Sequence, residues 1–148
     1  MSIVRKSLVI IIVLAAAAQL VPYGKDHTNP LLVREPAWDS PATHDLAKQA
    51  CFDCHSNETV WPWYSRIAPI SWLVYHDVAE ARQELNFSAW QGGAGKGEKP
   101  ERVAKELESG DMPPLQYRLA HPHAILDAAS RKALLQGLTA TIKGSADR

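Results

Sequence analysis

Both cysteines of this 148-residue chain stand three positions apart, and a histidine follows at once: Cys51-Phe52-Asp53-Cys54-His55. Few patterns constrain a small fold more. On one helical turn, side chains three apart share a face, so both thiols can reach a single rigid group. C-x-x-C-H is the pattern of covalent c-type haem attachment. In that reading Cys51 and Cys54 form thioethers to the macrocycle, and His55 turns beneath it to offer a nitrogen to the iron.

Three other chemistries fit two cysteines. A redox-active C-x-x-C belongs with a thioredoxin-like βαβ pattern, and none is visible. A structural zinc site needs four ligands, and no second pair stands at standard spacing. A disulfide across two intervening residues would be strained. Haem is therefore the expected cofactor, as haem c with its iron.

The N-terminus agrees with that chemistry. Arg5 and Lys6 precede eleven unbroken apolar residues, Leu8 to Ala18, and no charge occurs from Ser7 to Gly24. A basic start, an apolar run of this length and small residues at its end match a secretory signal, with a cleavage site at Ala16-Ala17-Ala18. An uncleaved inner-membrane anchor through residues 7–21 is the rival, at the short edge for a spanning helix. A buried core helix is disfavoured because the run has no polar face. Both leading readings put the remainder in the periplasm. Without Arg5 and Lys6 the chain carries 14 basic against 16 acidic residues, a net charge of −2. That argues against nucleic acid as a partner and against a polybasic membrane-binding patch.

Four segments are expected: 1–22 as signal or anchor, 23–40 as a proline-marked linker lying over the domain, 41–143 as the folded domain, and 144–148 as a fraying tail. The domain reads as all-α, because no run alternates with period two. A first helix starts at Ser40 or Thr43, with Ala47, Ala50 and Cys54 inward and Leu46 alongside. A second runs from an Ser71 cap to Leu85, presenting Val74, Val78 and Ala81. The four glycines between Gln91 and Gly97 make a loop. A third helix follows Pro100 with Val103 and Leu107 inward and stops at Gly110. A fourth starts near Asp127 and carries Leu134, Leu135, Leu138 and Ile142. Gly137 weakens it by about 1 kcal/mol relative to alanine and predicts a looser contact with its neighbour.

A second axial ligand is expected from Met112, the only methionine besides Met1, in Gly110-Asp111-Met112-Pro113-Pro114. Prolines stiffen that loop, and methionine with histidine is a known cytochrome c ligation. Core packing is the alternative role for Met112. His27, His44, His76, His121 and His123 are the other candidates, with His121 favoured by its nearness to the loop. Trp61, Trp63 and Tyr64 are candidate walls for the macrocycle, and Arg66 a candidate propionate partner. For any single one of these aromatics, simple core packing is the better explanation. A carbonyl near Pro69 is the expected acceptor for the second ring nitrogen of His55.

Cys51 to Leu73, CFDCHSNETVWPWYSRIAPISWL, resembles the bacterial haem-binding domain family related to cytochrome c. The likeness continues through LNFSAW (85–90), DMPP (111–114) and RLAHP (118–122), and so spans most of the chain. The SNET and WPWYS runs are far more specific than C-x-x-C-H. The resemblance implies a small cytochrome c-like helical domain, with Cys51, Cys54, His55 and Met112 as haem residues. Electron transfer with redox partner proteins is the expected function, and not enzyme catalysis. A haem-based sensor with a labile distal ligand is the alternative. A peroxidase-like enzyme would need a positioned acid–base group on an open distal side, and the sequence specifies none.

Overall fold

The computed structural model describes residues 2–146, and within them the fold is helical. Helix α1 (Ile3–Ala18) precedes an extended segment, then α2 (Pro41–Ala50), α3 (Phe52–His55), α4 (Ile70–Glu84), α5 (Pro100–Ser109), α6 (Leu115–Ala120) and α7 (Ala128–Ala146). Short 3₁₀ turns cover Trp63–Arg66 and Pro122–Ala124. A single parallel bridge, Arg34 to Ala89, is the only β pairing among the described residues.

Local chemistry accounts for the ends. Ser40 caps α2 by accepting from the Thr43 amide at 3.2 Å, with Pro41 in the first helical position. Cys51 then breaks the helix (φ −126°), so Cys54 lies on a separate turn and not on the continuation of α2. Helix α4 starts at Ile70 behind Pro69, which leaves Ser71 buried inside it and not capping it. Helix α5 ends on Gly110 at φ +78°, a left-handed conformation that glycine adopts without strain.

The core gathers Ala47, Ala50, Phe52, Phe87, Trp90, Val103, Leu107, Leu134, Leu138 and Ile142. Helix α7 packs against both α2 and α5. Phe52 stacks on Phe87 at 5.5 Å, and Trp38 lies 5.2 Å from the same ring. Trp38 belongs to the segment expected as a linker. That segment does lie over the domain, and it is fastened there. The Val33 amide donates to the Ser88 carbonyl, the Asn57 side chain donates to Leu31, and the Asp39 amide donates to Thr141. The C-terminal residues continue α7 through Ala146, with Ser145 buried; 147 and 148 lie outside the described residues.

Helix α1 exposes all its large apolar side chains. No helix among the described residues is long and apolar enough to cross a membrane. The α1 helix and the unbroken apolar run both end at Ala18, before Gln19.

Gly137 does the opposite of loosening the fold. A Cβ built there would sit 1.9 Å from Thr43 Oγ1 and 2.7 Å from its Cγ2. The missing side chain is what lets Thr43 of α2 lie on α7. Gly137→Ala is therefore expected to destabilise, because overpacking costs about 1–3 kcal/mol and outweighs the gain in helix propensity of about 1 kcal/mol. Thermal unfolding should show a lower Tm for Gly137→Ala, and adding Thr43→Ala should restore part of it.

Candidate functional site

The two cysteines, His55 and Met112 meet at one cavity of about 400 Å³, walled by Ala50, Leu85, Phe87, Val103, Leu107 and Leu138. Helices α2, α5 and α7 and the segment after α4 thus each give it apolar surface. His55 presents its ring to this space from the end of α3. Its Nδ1 lies 3.0 Å from the Leu85 carbonyl oxygen and 3.1 Å from that of Ala81. Carbonyls only accept, so Nδ1 carries the proton and Nε2 keeps its lone pair. These acceptors replace the carbonyl expected near Pro69. The reason is geometric: they lie at the C-terminal end of α4, where helix carbonyls carry partial negative charge; Leu85 follows the last residue of the helix, and the Ala81 carbonyl also accepts from the Leu85 amide.

Burial lowers the His55 pKa below its ordinary 6.5, against the opposing hydrogen bonds from Leu85 and Ala81. The neutral ring is the form able to ligate a metal. Burial pushes the Cys51 thiol up to about 12, with Cys54 adding to the shift; burial does the same to Cys54, reinforced by Asp53 and Asp77. Both therefore stand as neutral thiols at pH 7. Thiol–disulfide exchange needs a thiolate, so the site is poorly suited to redox work on its own sulfurs.

Met112 sits at the rim, 39% exposed. Its amide donates to the Glu106 carbonyl at 3.1 Å. From the other side Tyr117 of α6, also lining the cavity, donates to Asp53 Oδ2 at 2.6 Å. Asp53 Oδ1 accepts from the Val60 amide. The residue between the cysteines thus ties the methionine arm to the histidine arm. Burial, followed by the hydrogen bond to Asp53, raises the Tyr117 pKa, which keeps it a donor.

The aromatic run after the motif lies elsewhere. Trp61 stacks on His27 at 4.5 Å and donates to Asn29. Trp63 is 75% exposed, with its ring edge to Tyr64. Tyr64 faces His121, and Arg66 is exposed. None of Trp61, Trp63, Tyr64 and Arg66 lines the cavity; the cation that does is Arg102, paired with Glu84 at 3.2 Å. The alternative histidines are also placed apart from it. His121 stacks on Tyr117 at 4.2 Å, His44 packs on Trp38 and Phe52, and His76 pairs with Glu80.

Residues that the motif did not single out hold the loop after His55. Ser56 Oγ donates to the Phe52 carbonyl, and the Asn57 amide donates to Ser88 Oγ. Arg82 donates to the Ser56 carbonyl, to Asn29 Oδ1 and to Thr59 Oγ1. The SNET and NFS runs were the available signal: uncharged polar residues between apolar stretches, whose side chains have to pair where they are buried.

In the haem-free chain, His55 fixes a sign for pH dependence. Unfolded His55 takes a proton near 6.5 and folded His55 only at lower pH, so between these values the unfolded chain binds more protons. Stability from this residue is full above about 6.5 and declines as pH falls through that window. Denaturant midpoints across it should slope accordingly, and His55→Gln should flatten the slope. Tyr117→Phe, which leaves a half-buried carboxylate short of a donor, should lower stability by about 1–3 kcal/mol.

No curated protein and no solved structure matches the chain. The family model for the haem-binding domain matches residues 13–140. The chain belongs to the haem-binding domain family.

Proposed function

We propose that this chain is an exported c-type cytochrome, a one-electron carrier and not an enzyme, with haem c held through Cys51 and Cys54. The observation that carries this reading is the His55 ring. Its Nδ1 is committed to two carbonyls of α4, and its Nε2 is left for a metal beside two neutral thiols. An acceptor on the far nitrogen fixes ring orientation and raises ligand basicity. Family membership supports haem as the occupant.

The residues fit such a group. The cavity surface is mostly apolar, as a macrocycle face requires, with Asp77, Glu80, Glu84 and Glu106 also on its lining, and Met112 on the opposite arm supplies a thioether sulfur. Arg102 at the edge is the cation available to a propionate, in the role the sequence suggested for Arg66. Bound there, the iron would supply one-electron cycling, and methionine ligation would raise its potential relative to two histidines. His55 and Tyr117 then act by holding the two arms, and the apolar walls act by excluding water. The partners would be redox proteins of the periplasm.

A sensor or small-ligand module is the second reading, favoured by the exposure of Met112 at the rim. An arm at the surface can open and admit a ligand in its place.

Production in a cytochrome-maturing host should give a chain that keeps its haem through denaturation, visible as an added prosthetic mass. Cys51→Ala with Cys54→Ala should lose it, and an unmodified mass in the parent would end the reading. Met112→Ala should abolish the weak long-wavelength iron–thioether band; a surviving band would assign the ligand elsewhere. Reduced parent protein that ignores carbon monoxide marks a carrier, and ready binding marks the sensor.

A further inference from the structure

Away from the cavity, the start of α4 and the end of α1 form one surface. Gln19, the polar residue that interrupts the N-terminal apolar run, accepts from the Ala68 amide at 3.0 Å and donates to the Ala68 carbonyl at 3.0 Å. Its amide also donates to the Ala15 carbonyl, so one side chain joins α1 to the domain. The chain then lies across α4. Gly24, at φ +75°, passes so near that a Cβ would meet the Ser71 carbonyl oxygen at 2.6 Å, and Tyr23 packs edge-on against Tyr75 at 5.3 Å.

Around this clamp the domain exposes large apolar side chains: Trp63, Ile67, Ile70 and Leu73, beside Leu20 and Val21. At the clamp itself the ionic side chains are few: Lys25, followed at once by Asp26, and Arg66, with Arg5 and Lys6 at the far end of α1, whereas Asp77, Glu80 and Glu84 occupy the other half of α4 by the cavity.

We infer that this face is a foot seated in the headgroup layer of a lipid bilayer, with α1 entering the membrane and the Gln19–Ala68 clamp fixing the domain against it. The inference rests on the reading of α1 as a retained anchor. The uncharged part of α1, residues 7–18, is about 18 Å long, about 12 Å short of a hydrocarbon core of about 30 Å. A short apolar segment draws its flanks toward the bilayer, and amphipathic elements bury their apolar faces about 5–10 Å into the interface. The clamp makes Trp63, Ile67 and Ile70 those flanks. Tryptophan is enriched at this depth, and the exposed Arg66 beside it can extend its charged end to the headgroups. Helix α4 would then carry the cavity end away from the lipid, since Gln83 lies thirteen residues beyond Ile70, about 20 Å along the axis.

The test uses the full haem-loaded chain in vesicles of phosphatidylglycerol and phosphatidylethanolamine, spin-labelled in turn at Trp63→Cys, Ile70→Cys and Gln83→Cys. Labels at 63 and 70 should lose access to a water-soluble relaxant and gain access to oxygen, while the label at 83 stays in water. Adding Gln19→Ala should return the label at 63 to water with the haem spectrum unchanged. Equal water access at all three sites would overturn the foot and leave the haem reading intact. Shielding that persists in detergent and grows with protein concentration would assign the face to a second copy and also overturn it. Recovery from cells of a chain lacking residues 1–18, free of the membrane fraction, would remove the anchor on which it stands. Loss of haem with shielding retained would instead strike the cytochrome reading.

Discussion

The hydrogen bond from His55 to the end of α4 joins the shortest helix of the domain to one of its longest. It is reciprocated, because the Phe87 amide donates to the His55 carbonyl at 2.8 Å. Arg82 reaches the Ser56 carbonyl from the same helix end. Four residues of α3 would not hold a helix by themselves. Anchored in this way, they keep their geometry, and Phe52 and Phe87 are brought face to face beneath them. Ring orientation, core stacking and the path of the following loop are set together, so disturbing one disturbs the others.

The opposite arm is built differently. Met112 stands beyond the left-handed turn at Gly110, between one backbone bond to α5 and the Tyr117–Asp53 bond to α3. Helix α6 has six residues, none of them fully buried. Fewer buried contacts mean a lower free energy of local opening. The two sides of the cavity therefore differ in rigidity: the histidine side is locked into the core, and the methionine side is strapped on at its edge.

Much of this was legible in residue order. Val103, Leu107, Leu134, Leu138 and Ile142 recur at helical spacing and do face the core, because amphipathic helices state their buried face in their period. The convergence of Cys51, Cys54, His55 and Met112 on one cavity could be read from motif and resemblance. What escaped was set by contacts between distant positions. Trp38 looked like linker because nothing near it is periodic, yet its ring completes the stack on Phe87. Gly137 looked like a weakness because propensity is local, while the Thr43 side chain that needs its space is far away in sequence. The aromatics after the motif looked like a cofactor wall by adjacency, but the turn at Trp63–Arg66 carries them to another face.

Those displaced aromatics separate two uses of the same specific run. The SNET residues spend their polar atoms on the loop after His55 and on the extended segment, through Asn29, Leu31 and Ser88. Their specificity is thus structural: only side chains of that shape and hydrogen-bonding capacity close this loop around Arg82. In the Trp63–Ile67 stretch the buried Ser65 bonds to Pro62 and His27, while Trp63 and Ile67 leave apolar surface in water. A core requirement cannot explain exposed tryptophan and isoleucine, and isolated exposed residues need no explanation, but a group flanking the clamp to a fully exposed apolar helix does. Fixing the His55 ring from the end of α4 leaves the outer face of that helix for the second use, with the carboxylates of the same helix kept at the cavity end.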